Sequence, residues 1–72
     1  MKIILGRYRH YKGSDYQVIG LAQHSETGEQ LVVYRTLYGN YDLWVRPLSM
    51  FVEQVQVDDV AIPRFTFISE DV

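Results

Sequence analysis

The chain has 72 residues, of which 47% are hydrophobic, 22% charged and 14% aromatic, and its net charge is −2. A chain of this length buries only about 60% of its unfolded surface, which leaves a thin core and excludes a multi-domain enzyme or a dinucleotide fold with two complete halves. The composition is that of a folded protein, and the absence of cysteine excludes disulfides, thiolate metal sites and a cysteine nucleophile.

One small domain is expected over residues 1–72, with strands 7–11, 16–24, 30–38, 43–46 and 64–68. The first ends at Lys12-Gly13-Ser14-Asp15. The second is rich in β-formers (Tyr16, Val18, Ile19) and ends in the turn Ser25-Glu26-Thr27-Gly28, where Gly28 can take positive φ. The third turns through Gly39-Asn40-Tyr41 into the fourth, which stops at Pro47 because proline cannot donate to a ladder. Residues 48–52 hold a helical turn with Pro47 near its first position, and residues 54–57 form either a brief extended piece or the end of that turn. Asp58-Asp59 begins a loop, Pro63 leads into the last strand, and residues 69–72 are expected to fray as an acidic tail. Five short strands with a helical turn before the last predict an all-β fold, a small SH3-like five-stranded barrel. An oligonucleotide-binding type of barrel is the alternative.

Pairing Tyr38 with Asp42 across the third turn sets Tyr34 opposite Arg46 and puts Leu31, Val33, Leu37, Leu43 and Val45 on one face. Pairing His24 with Glu29 adds Val18, Gly20 and Ala22, which together predict the core. The opposite face then carries Ile19, Leu21, Val32, Tyr34, Tyr38, Trp44 and Arg46, too apolar for plain solvent exposure. A shift of one residue in register exchanges the two faces and buries the aromatic side chains.

The chemistry-bearing residues are sparse. His10 and His24 titrate near neutrality and suit an acid, a base or a metal ligand, but no H-x-x-x-H spacing accompanies them. Neither a metal nor a cofactor is expected. His24-Ser25-Glu26 contains hydrolase residue types, although adjacency in a turn does not make a triad, and Ser25 suits a turn former. The glycines build no phosphate-binding loop. In the stretch from Gly6 to Gly13, aromatic residues alternate with bases, which suits either base stacking with phosphate neutralisation or a charge-protected edge strand. Charge is uneven: residues 1–47 carry six bases against four acids, and residues 48–72 carry only Arg64 against five acids. The longest apolar runs are far too short to span a bilayer, and the opening from Met1 lacks the length and cleavage site of a signal peptide. A cytoplasmic location with no membrane partner is expected.

Gly6-Arg-Tyr-Arg-His-Tyr-Lys-Gly13, His24-Ser-Glu-Thr-Gly-Glu29, Val32-Val-Tyr-Arg35, Leu37-Tyr-Gly39, Trp44-Val-Arg-Pro47, Met50-Phe51 and Pro63-Arg64-Phe65 follow one another at matching spacing. Over residues 6–68 this pattern resembles domain-of-unknown-function family 1653, a bacterial group of small proteins. The resemblance implies one compact module, assigns no activity, and places His10, Tyr11, Tyr34, Arg35, Tyr38, Trp44 and Arg46 in the family pattern.

The leading expectation is a non-enzymatic module that binds a peptide or protein through Tyr34, Tyr38, Trp44 and Arg46, with His10 at the rim. Tyrosine and tryptophan supply flat contact area, and arginine a planar cation. The alternatives are a module for single-stranded nucleic acid or a nucleotide, a small hydrolase-like enzyme using His10 or His24, and a homodimer joined through the aromatic face.

Overall fold

The computed structural model describes residues 3–71. The opening residues Met1 and Lys2, read above against a signal peptide, and Val72 of the acidic tail lie outside the described residues. Short runs of β-branched and aromatic residues interrupted by turn formers give, among the described residues, seven strands and one short helix. They are β1 (Gly6–His10), β2 (Asp15–Gln23), β3 (Gln30–Thr36), β4 (Leu43–Pro47), α1 (Leu48–Phe51), β5 (Gln54–Val57), β6 (Val60–Pro63) and β7 (Phe65–Ser69).

The all-β class expected from the sequence is correct. Two antiparallel sheets form, one five-stranded in the order β4-β3-β2-β1-β7 and one a two-stranded β5-β6 hairpin. The expected pairing of His24 with Glu29 is present: the His24 N–H donates to the Glu29 carbonyl at 2.8 Å and the Gly28 N–H to the His24 carbonyl at 2.9 Å. Gly28 takes φ 75°, the left-handed turn position that only glycine occupies without cost.

Two sequence expectations are corrected here. The β3–β4 pairing slips by two residues, with Tyr34 opposite Trp44 and Val32 opposite Arg46 in place of Tyr34 opposite Arg46. A slip of two keeps side chains on their faces, so the larger correction is which face is buried. The core consists of Tyr8, Tyr16, Val18, Val32, Tyr34, Leu48, Phe51 and Phe65, whereas Leu43 and Val45, expected inside, are 56% and 59% exposed. Tyr34, expected on an open surface, is only 2% exposed. On the buried face the rings of Tyr8, Tyr16, Tyr34, Phe51 and Phe65 pack on one another together with Val18, Val32 and Leu48.

A bulge lets β2 serve that core. Val18 pairs with Tyr34 but Gly20 with Val33, so Ile19 is an extra residue and the strand changes faces there. Val18 thereby joins Val32 and Tyr34 inside, while Gly20 and Ala22 stay beside Val33 and Leu31, as expected from the sequence.

The expected helical turn after Pro47 is α1, which starts at Leu48 and drives Leu48 and Phe51 into the core. The Phe51 ring stacks on Phe65 with centroids 4.1 Å apart and planes 6° apart. Asp58-Asp59, expected to open a loop, is the two-residue turn of the β5–β6 hairpin, with φ 51° and 66°. Both central residues are left-handed, as a type I′ turn demands, and its flanking strands pair directly. Ser69, expected in the tail, instead ends β7 opposite Arg7, and its Oγ bonds the Asp71 backbone.

Candidate functional site

The antiparallel order brings the C-terminal ends of β1 and β3 and the N-terminal ends of β2, β4 and β7 to one rim of the sheet. His10, Tyr16, Tyr38, Trp44 and Phe65 meet there. The Tyr16 ring is central: its centroid lies 5.4 Å from Tyr34, 5.6 Å from Tyr38, 5.7 Å from Phe65, 6.0 Å from Trp44 and 6.4 Å from His10. Most of these pairs are edge-to-face, the arrangement the ring quadrupoles favour.

All five residues singled out in the sequence belong to this cluster, in different roles. Tyr34 is its buried floor, Trp44 and Tyr38 are exposed at its mouth, and His10 and Arg46 are half-buried. Arg46 Nε donates to the Tyr34 hydroxyl at 3.4 Å, and its guanidinium carbon lies 5.5 Å from the Phe65 centroid. The Tyr16 and Tyr38 hydroxyls are 2.8 Å apart, and Thr36 Oγ1 donates to the Tyr38 carbonyl, so the Tyr38 backbone is tied down beyond the end of β3.

His10 packs edge-on against Phe65 at 4.9 Å and lies tilted against Tyr11 at 4.6 Å. Its Nδ1 accepts the Lys12 backbone N–H at 3.1 Å, which assigns the proton of the neutral ring to Nε2. Burial lowers the His10 pKa below its ordinary value, and the charges of Arg46, Arg64 and Lys12 lower it further. His10 is therefore held toward its neutral form. Burial and the Tyr38 hydrogen bond push Tyr16 up to about 12, so its hydroxyl stays protonated.

His24 is remote from this rim. Its Nδ1 accepts the backbone N–H groups of Glu26 at 3.1 Å and Thr27 at 3.4 Å, capping the β2–β3 turn. No serine, aspartate or glutamate side chain hydrogen-bonds either imidazole among the described residues, and no group of three potential metal ligands occurs among them. The His24-Ser25-Glu26 stretch lies in this turn, with the His24 Nδ1 taken by two backbone donors. The basic stretch at residues 7–9 is also structural on its outer side, where Arg7 and Arg9 both bond Asp15. The Arg9 hydrogen bond, aided by Arg7, holds the Asp15 carboxyl down at about 2.

Sequence reasoning missed Tyr16, Phe65 and Arg64. Tyr16 entered the rim only through the Ile19 bulge, whose sequence signal is Gly20, an isolated glycine inside the strand. Phe65 enters because β7 returns to pair with β1, a non-local contact. Arg64 donates to Glu53 Oε1 at 3.3 Å, while its buried Nε has no partner among the described residues. Beside the rim, a groove of about 330 Å³ runs past His10 and Tyr11, walled by Ile62, Pro63 and Ile68.

Comparison with known proteins gives a family and no activity. A family model described as a protein of unknown function (DUF1653) matches residues 6–67. A solved structure, the crystal structure of a DUF1653 protein from Bordetella bronchiseptica, is similar at 37% identity and a TM-score of 0.87, covering 96% of this chain and 91% of that one. No curated protein matches. No helix among the described residues is long and apolar enough to cross a membrane. With the motif blocks, the matched span and the shared backbone all in agreement, the chain belongs to the DUF1653 family.

Proposed function

We propose that this protein is a non-enzymatic binding module that grips a peptide or a segment of another protein at the aromatic rim. The observation that carries the reading is Arg46, half-buried against the Tyr34 hydroxyl and the Phe65 ring, while Trp44 and Tyr38 stand open in the same cluster on Tyr16. Rigid aromatic surface next to a guanidinium is the composition of interface hot spots. The neighbouring groove gives an extended chain somewhere to continue, and His10 borders both.

The same reading takes the five-stranded sheet as an SH3-like barrel. Its support is the approach of Arg46 on β4 to Phe65 on β7, which requires the two outer strands to curl toward each other. It also takes the protein to act in the cytoplasm, the compartment that a cysteine-free composition fits.

The acid–base state of the rim supports binding over hydrolysis: the His10 Nδ1 is occupied by a backbone donor and the Tyr16 hydroxyl is held protonated. The net charge of −2 and the pairing of Arg7 and Arg9 with Asp15 weigh against a nucleic-acid footprint.

The test is selection from a random peptide library on the wild-type chain, read by Trp44 fluorescence. Selected peptides are expected to shift the emission and to lose binding to Trp44→Ala. Failure to select any peptide, together with salt-sensitive binding of single-stranded oligonucleotides, overturns the proposal in favour of nucleic acid.

A further inference from the structure

We infer that the rim contains a carboxylate site: one carboxylate of a bound peptide takes the free Nη edge of Arg46 and the Nε2–H of His10, while an adjacent apolar side chain lies against Trp44 and Tyr38. This rests on the peptide-binding reading and adds the chemistry of the ligand.

The argument begins with Arg46. The residue is half-buried, its guanidinium carbon lies 5.5 Å from the Phe65 centroid, and Nε is used by Tyr34. Among the described residues no carboxylate pairs with it; the ion pairs there are Arg7 and Arg9 with Asp15, and Arg64 with Glu53. The two remaining nitrogens of the Arg46 guanidinium match the two oxygens of a carboxylate.

His10 supplies the second donor. Its ring and the Arg46 guanidinium approach the same Phe65 ring, at 4.9 Å and 5.5 Å from the centroid. With Nδ1 occupied by the Lys12 N–H, the donor that is left is Nε2–H.

The charge balance favours a monoanion. Arg64 already bonds Glu53, and Arg46 is the guanidinium of the rim with no ion pair among the described residues. A phosphate dianion calls for more cationic partners than that. Tyr16, Tyr11 and Phe65 are the other groups packed on His10, and the Tyr16 hydroxyl is held protonated. A bound carboxylate offsets the field of Arg46, Arg64 and Lys12, so binding raises the His10 pKa and tightens as the pH falls through it.

The experiment titrates the wild-type chain by NMR with acetyl-Phe-Asp-amide, acetyl-Phe-Asn-amide, acetyl-Phe-Gly with a free C-terminal carboxylate, its amide, and inorganic phosphate. The Asp peptide, the free-carboxylate peptide or both are expected to bind at least about tenfold tighter than the matching amide. They should shift the Trp44 indole and Arg46 Nε resonances and raise the His10 pKa. Which of the two binds more tightly tells a side-chain carboxylate from a chain terminus. Arg46→Gln should erase the advantage over the amide, and His10→Gln, which keeps a donor, should retain most of it. If acid and amide bind alike at the rim, the carboxylate site fails while peptide binding stands. If phosphate binds more tightly than either acid, the monoanion assignment fails. If no peptide shifts rim resonances, both readings fall.

Discussion

The Arg46 guanidinium carbon lies 5.5 Å from the centre of the Phe65 ring, although Arg46 is on β4 and Phe65 on β7, the two outer strands of the five-stranded sheet. Two strands that share no ladder are thus joined across the inner face by a cation and a ring, with Tyr34 beneath them. A partly desolvated pair of this kind contributes about 1 kcal/mol. Arg46→Gln should lower stability by about that much in urea denaturation while leaving the circular dichroism spectrum native. A variant as stable as the wild type would show that this contact contributes nothing to folding.

The buried face gives a sharper prediction. Val32 is fully buried on the inner face and Val45 is 59% exposed on the outer one. Val32→Asp should abolish cooperative unfolding, because an isolated carboxylate would enter the core. Val45→Asp should cost under about 0.5 kcal/mol, as surface substitutions do. Likewise Tyr34→Ala should cost about 3–5 kcal/mol, more than a thin core tolerates, whereas Trp44→Ala should stay folded. Thermal denaturation of the four variants decides the matter, and an unfolded Val45→Asp would mean the faces are assigned backwards.

Gly6 begins β1 buried, with φ 141°, and a Cβ there would collide with the Ser69 carbonyl oxygen and the Glu70 Cα. Gly6→Ala combines a disfavoured backbone angle with a clash against main chain that cannot rotate away. A loss of about 2 kcal/mol or more is expected, with the β1–β7 amides losing hydrogen-exchange protection first. Unchanged protection at Tyr8 and Phe67 would contradict the close approach of these strands.

Asp15 predicts a pH dependence. Its carboxyl is held at about 2, first by the Arg9 hydrogen bond and then by Arg7. Because the folded-state pKa is depressed, the stabilisation is present above the unfolded carboxyl range near 4 and is lost as the pH falls toward 2. Both arginines are well exposed, so solvent screening limits the effect to about 1 kcal/mol. Asp15→Asn should be less stable than wild type at pH 7 by that amount, and the two should converge near pH 2. A gap that persists at pH 2 would point to packing as the cause.

His24 is assigned to a turn. His24→Ala removes the acceptor for the Glu26 and Thr27 N–H groups, at an expected cost of about 1 kcal/mol. Asparagine should recover part of it, since its side-chain oxygen can reach the same donors. Peptide affinity measured by calorimetry should be unchanged in both variants; a loss in His24→Ala would place the turn in the binding surface.

Local chemistry is what the sequence by itself determined. Gly28 with His24 and Glu29 settles the β2–β3 turn, Pro47 places the start of α1, and the alternation of Leu31, Val33, Leu43 and Val45 correctly groups those residues on one face. Each depends on neighbours or on a short hairpin, where backbone geometry and period decide. The tertiary structure alone decided which face turns inward, because both faces of β3 and β4 are apolar enough to be buried and the choice follows from α1 and β7 bringing Phe51 and Phe65 against Tyr34. It alone placed Tyr16 and Phe65 beside Trp44 and Arg46, since the Ile19 bulge and the return of β7 to β1 join residues far apart in the chain. The five candidate residues were legible as side chains without an obvious home; the rim that unites them exists only once β7 has brought Phe65 against His10, Tyr16 and Arg46.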